Sequence, residues 1–185
     1  MTETLNVIGD RSTARLAAGL YMEWQAYQRD EKNTNYYWRP NHSGFQWLGG
    51  GCSRQAWLGP DGVVYKVTIG TANQIEAMAY AIRAMIDHPK FGIPMTSLYS
   101  FRGEAGRVDV VAMEYCGTQE CAKYDYDRCG AYTCHDGCTC GYEDEWNEAH
   151  EFFGNSDFHE GNMRYYKGKV YCIDLGWCNF VSDVW

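Results

Sequence analysis

Between Phe45 and Val67 the chain carries strand-like runs separated by turn signals, and this constrains the fold more than any other stretch. Phe45-Gln46-Trp47-Leu48 leads into Gly49-Gly50-Gly51. A second run ends at Ala56-Trp57-Leu58, Pro60-Asp61-Gly62 forms a turn signal, and Val63-Val64-Tyr65-Lys66-Val67 follows. Strands joined by such short connections pair antiparallel, because a parallel pair needs a long crossover. The period then changes. From Ala72 to Ile86 the residues Ile75, Met78, Ala79, Ile82 and Met85 recur at helical spacing, and Val108–Met113 reads as a buried strand running into Glu114-Tyr115-Cys116-Gly117. The class expected is α+β.

Outside this block the signals are sparser. Leu16, Leu20, Trp24 and Tyr27 give a helix from Ser12 to Arg29, with Asp10, Ser12 or Thr13 as its cap, and residues 30–44 read as loop. A short helix is expected over Glu143–Phe153, a loop over Asp157–Asn162, and then a hairpin. Its strands are Met163–Tyr166 and Lys169–Ile173, turning at Lys167-Gly168. At 185 residues the chain fits one domain or two small lobes.

Charge and hydropathy exclude some functions. A net charge of −8 argues against nucleic acid or an anionic membrane as the main partner, since both call for a basic face. No run approaches the roughly 20 apolar residues that cross a bilayer. The start at Met1-Thr2-Glu3-Thr4 lacks the basic and apolar pattern of a secretory signal, so a cytoplasmic protein is expected.

Four features occur in an order that carries chemical meaning. Gly49, Gly50 and Gly51 would let backbone N–H groups approach phosphate oxygens, although such glycines also serve as a plain hairpin. Lys66 sits in an apolar strand, where it either points to solvent or is buried and needs a counter-charge. Glu76, ten positions on, can supply that charge or lie on a solvated helix face. The sharpest feature is Asp157-Phe158-His159-Glu160-Gly161-Asn162, followed by Asp174-Leu175-Gly176 at the end of the hairpin. A loop of this kind can hold Asp157 near a nucleophile's proton while Asn162 and Asp174 share a hard metal through oxygen.

Asp157-x-His159-x-x-Asn162 followed by Ile173-Asp174-Leu175-Gly176 resembles the catalytic and metal-binding loops of the protein-kinase-like superfamily. It is closest to the branch of aminoglycoside phosphotransferases and choline kinases. The resemblance spans Phe45 to Gly176 and implies a two-lobed fold. The expected parts are a leader and helix over 1–44, an N-lobe with a small antiparallel sheet over 45–116, and a strongly reduced C-lobe over 117–185. It further implies that Gly49, Gly50 and Gly51 cover the phosphates of ATP and that Lys66 holds the α- and β-phosphates and pairs with Glu76. Glu114 to Cys116 would form the hinge against adenine. Asp157 would orient or deprotonate the acceptor hydroxyl, Asn162 and Asp174 would bind Mg²⁺, and His159 would support the loop. Two departures stand out. Arg54 occupies the place of a third glycine, and only eleven residues follow Asp174, so the usual peptide-binding helices find no room.

Six of the nine cysteines lie between Cys116 and Cys140. Cys129, Cys134, Cys138 and Cys140, with His135 among them, could hold a structural Zn²⁺. The spacing lacks paired Cys-x-x-Cys knuckles, so the plainer reading is a loop rich in thiols, some buried as small hydrophobes, with disulfides a further option if the protein is oxidised. Cys116 and Cys172 are expected to pack near the cleft. Two functions remain in view. One is an ATP- and Mg²⁺-dependent phosphotransferase acting on a hydroxyl of a protein or small molecule. The other is a kinase-like binding protein, of the size a bacteriophage genome favours, that inhibits or redirects a protein partner.

Overall fold

The computed structural model describes residues 10–29, 44–50, 54–68, 70–85, 91–103, 106–117, 148–149, 151–152 and 162–176. The chain divides into two compact units. The first comprises Met1–Ala77 and Met95–Tyr115, the second Met78–Pro94 and Cys116–Trp185.

The first unit is built on a five-stranded sheet. Helix α1 (Arg11–Arg29) precedes strands β1 (Gln46–Gly50), β2 (Gln55–Leu58) and β3 (Val63–Thr68). Helix α2 (Ala72–Met85) begins in this unit, and β5 (Thr96–Gly103) and β6 (Gly106–Glu114) complete the sheet after the short β4 (Phe91–Gly92) of the other unit. The strand order is β1-β2-β3-β6-β5, with every neighbour antiparallel. The turn from β2 to β3 forms as expected. Gly59 N–H donates to the Val63 carbonyl at 2.8 Å, Gly62 adopts φ +76°, and Tyr65 Oη donates to Asp61 Oδ2 at 2.7 Å. Burial of Tyr65 and this contact push its hydroxyl pKa well above the usual tyrosine range.

All six residues of β3 are buried, and alternate side chains face opposite sides of the sheet. Val63, Tyr65 and Val67 join Val108, Val110 and Ala112 of β6 on the face that packs against Ala17, Leu20, Tyr21 and Trp24 of α1. Tyr21 stacks on Phe101 of β5 at 4.6 Å between ring centroids. Of the three candidate caps, Asp10 serves α1: its Oδ1 accepts the Thr13 N–H at 2.8 Å and the Thr13 hydroxyl at 3.0 Å. Those two bonds hold its carboxyl below the usual range. The opposite face of β3 presents Val64, Lys66 and Thr68.

Helix α2 corrects one expectation. Its buried stripe runs through Ala72, Asn73, Glu76 and Ala79, while Ile75 and Met78 are only half-buried. Apolar periodicity assigns polar residues to solvent, but Asn73 and Glu76 find partners on the sheet, and satisfied polar groups can be buried. A second correction concerns the glycines: Gly49 and Gly50 belong to strand β1 instead of the turn, with Gly50 paired to Gln55. Strand β5 carries no expectation from the sequence. Its alternation of Ser97, Tyr99 and Phe101 with Leu98, Ser100 and Arg102 gives neither face a clear polarity.

The second unit holds a three-stranded sheet of order β4-β8-β7, formed by β4, β7 (Met163–Tyr166) and β8 (Lys169–Cys172). Strands β7 and β8 make the expected hairpin, with Lys167 at φ 48° and Gly168 at φ 82°. Positive φ at both central residues gives the turn a twist that matches the strands. Strand β4 pairs with β8 in parallel. Glu148, Ala149, Glu151 and Phe152 are helical, within the helix expected over Glu143–Phe153, and Phe152 meets Phe91 edge-on at 5.6 Å. Among the described residues no helix is long and apolar enough to cross a membrane.

Candidate functional site

Lys66 points to the face of β3 where the first turns of α2 lie, and its surroundings are polar and ordered. Lys66 Nζ donates to Glu76 Oε1 at 2.7 Å, with both side chains less than a tenth exposed. Of the two orientations open to Glu76, it takes the one facing the lysine. The other carboxylate oxygen is also occupied: Arg54 Nη1 donates to Glu76 Oε2 at 2.6 Å. Glu76 therefore bridges two cations, one from the middle of β3 and one from the residue just before β2.

The bridge is tied to the backbone by Asn73. Its Nδ2 donates to the carbonyls of Lys66 and Asp109, both at 2.8 Å, and its Oδ1 faces Arg54 Nη1 at 3.4 Å. Those two carbonyls belong to the neighbouring strands β3 and β6, at positions two steps apart in register. One turn of α2 is thereby pinned across both strands. Gln74 adds a second anchor, donating from Nε2 to Asp109 Oδ2 at 2.6 Å.

Asp109 itself is buried, with Oδ1 accepting from Ser100 Oγ at 2.6 Å and Arg107 Nε at 2.8 Å. Burial acts to raise its carboxyl. The bonds from Ser100, Arg107 and Gln74, with the Arg107 charge, outweigh that and hold it below the usual carboxylate range. Sequence reasoning missed Asn73, Gln74 and Asp109 altogether and read Arg54 only as a departure from a glycine pattern. The one available signal was that Asn73 and Glu76 are three apart at the start of a helix, so they share a face.

The glycines stand close by in the fold. Among the described residues nothing lies within 4 Å of where a Cβ at Gly49 would sit, whereas a Cβ at Gly50 would meet Gln55 Cγ at 3.3 Å. Gly51 lies outside the described residues. Glu114 ends β6, its N–H donating to the Met95 carbonyl at 2.9 Å, and the first unit closes at Tyr115. Cys116, in the second unit, is buried, as is Cys172. Burial, with Cys116 nearby, pushes the Cys172 thiol far above its ordinary range.

In the second unit Asn162 and Asp174 lie at the open end of the β7–β8 hairpin. Met163 pairs with Cys172, and Ile173 N–H donates to the Asn162 carbonyl at 2.8 Å, so Asp174 follows one residue beyond that bond. Asn162 is buried and Asp174 half-buried. Their oxygen-only donor set suits a hard cation such as Mg²⁺ better than a thiophilic metal. Among the described residues no group of three or more His, Cys, Asp or Glu side chains is arranged to hold a metal ion. An Asn–Asp pair is a different donor set. Asp157 and His159 lie outside the described residues, as do Cys129, Cys134, Cys138 and Cys140.

Comparison with known proteins adds no family: no protein-family model and no curated protein matches this chain.

Proposed function

We propose that the chain is an ATP- and Mg²⁺-dependent phosphotransferase that transfers the γ-phosphoryl group to a hydroxyl. The observation that carries the reading is the buried ion pair of Lys66 on β3 with Glu76 on the helix that follows. In protein kinases a strand Lys holds the α- and β-phosphates while a helix Glu holds that Lys, and the pair must be in place for activity. Gly49, in the strand before the Arg54 connection, carries no side chain to screen its backbone from a polyphosphate. The two-lobed kinase-like architecture belongs to this proposal.

Each residue then has a stated task. Lys66 neutralises the α- and β-phosphates and Glu76 keeps its ammonium in place. Asn162 and Asp174 hold Mg²⁺, which when bound offsets phosphate charge. Asp157 takes the proton of the acceptor hydroxyl as that oxygen attacks the γ-phosphorus. The bond from the γ-phosphorus to the β–γ bridging oxygen breaks, and ADP leaves.

The test uses ATP labelled in its γ-phosphate, followed for label on the chain itself or released as inorganic phosphate, with ATP binding measured alongside. Asp157→Ala is expected to keep binding and lose transfer by at least about a hundredfold. Transfer at the wild-type rate in that variant would end the assignment.

A further inference from the structure

Lys66 is the terminal member of a chain of contacts whose orientation is set from the other end. Asn73 uses both hydrogens of its amide on backbone carbonyls, those of Lys66 and Asp109, and this fixes which way its Oδ1 points. That oxygen faces Arg54 Nη1 at 3.4 Å, and the same nitrogen donates to Glu76 Oε2 at 2.6 Å. The remaining oxygen, Oε1, receives Lys66. A guanidinium is planar, always charged and geometrically demanding. An ammonium is a point charge on a flexible stem. Of the two cations on Glu76, Arg54 is the one able to dictate the carboxylate's position.

From this geometry we infer that Arg54 is a positioning residue: with Asn73 it holds the Glu76 carboxylate in place, and Lys66 takes its position from Glu76. Arg54 directly precedes β2, at the end of the connection that begins with Gly51. The contact therefore also ties the end of that connection to α2. The side chain that interrupts the glycine pattern thus supplies a permanent latch for the Lys66–Glu76 pair. This deepens the nucleotide reading, and its importance for phosphate binding rests on that reading. The positional claim does not.

The two roles open to Arg54 predict opposite signs. If Arg54 only adds positive charge near Lys66, its removal favours the protonated amine, and the pH at which Lys66 deprotonates rises. If Arg54 positions Glu76, its removal lets the carboxylate leave. Lys66 then stays buried without that counter-charge, and the deprotonation midpoint falls. The full chain carries six lysines, few enough for the ε-carbon shift of each to be followed by NMR with ¹³C-labelled lysine, assigned with Lys66→Met.

In Arg54→Gln the Lys66 midpoint is expected to fall by about one pH unit or more, towards that of Glu76→Gln. A rise, or no change, overturns the inference. Arg54→Lys keeps the charge and loses the planar fork, so it serves if Arg54→Gln does not fold. A smaller fall is expected there, and an unchanged midpoint overturns the inference. ATP titration of the wild-type chain, run in parallel, separates the two claims. If the midpoints fall as expected and ATP does not bind, the nucleotide reading fails and the role of Arg54 stands.

Discussion

Because Glu76 serves two cations, its loss and the loss of Lys66 are predicted to differ in cost. Glu76→Gln leaves Lys66 and Arg54, with side chains 8% and 7% exposed, without the carboxylate they share. Breaking a buried ion pair from one side costs about 3–5 kcal/mol, because the charge left behind is desolvated without compensation. Lys66→Met is milder. Glu76 keeps Arg54 at 2.6 Å, the methionine stem fills most of the same volume, and about 1.5–3 kcal/mol is lost with one charge-assisted hydrogen bond. The expected difference is therefore about 2 kcal/mol, with Glu76→Gln the weaker protein. In urea that is a midpoint difference of about 1 M at a slope near 2 kcal/mol/M. Unfolding followed by tryptophan fluorescence and by far-ultraviolet circular dichroism checks it, coincident transitions licensing the comparison. Lys66→Met as destabilising as Glu76→Gln would refute the reasoning, because Glu76 would then have no effective second partner.

Three further outcomes follow from other parts of the molecule. The Asp109 carboxyl is held below its unfolded value, so its contribution is present above about pH 4 and fades as pH falls through the lower folded value. Asp109→Asn should accordingly be less stable than wild type in urea at pH 7, with the gap narrowing at pH 3. Gly168→Ala forces a side chain into φ 82° and should cost about 1–2 kcal/mol, read as a lower Tm. The Cys172 thiol, fully buried and kept neutral, should resist iodoacetamide at pH 8 in the native protein and react once urea unfolds it, as peptide mass spectrometry would show.

What the sequence disclosed was local. The β7–β8 hairpin was legible because Lys167-Gly168 sits between two short strand-forming runs, and α1 was legible from Leu20 and Trp24 at helical spacing behind an Asp10 cap. The β2–β3 turn was marked by Pro60-Asp61-Gly62. Lys66 and Glu76 could be nominated, since a buried strand lysine requires an acid, but the direction of Glu76 could not. Periodicity counts apolar residues, and among the described residues of α2 Asn73 and Glu76 are buried beside Ala72 and Ala79. Asn73 and Asp109 escaped notice, and Arg54 stood out only as a break in a glycine pattern, because each acquires its meaning from a partner far along the chain, brought near only when β2, β3 and β6 align. Strand β4, two residues long, is too short to leave any pattern. In the second unit the placement of Asn162 and Asp174 at the hairpin's open end was legible for the same reason as the hairpin: a two-residue turn fixes the register of that end.

The central claim is that Lys66 and the Asn162–Asp174 pair serve a magnesium–nucleotide complex. Its most direct test is calorimetric titration of the chain with ATP, with and without Mg²⁺, beside Lys66→Met and Asp174→Ala. The account predicts saturable binding that needs Mg²⁺, weakened at least about tenfold in each variant, which corresponds to about 1.4 kcal/mol. Absence of binding in the folded wild-type chain, or binding indifferent to Mg²⁺ and to both substitutions, would contradict it.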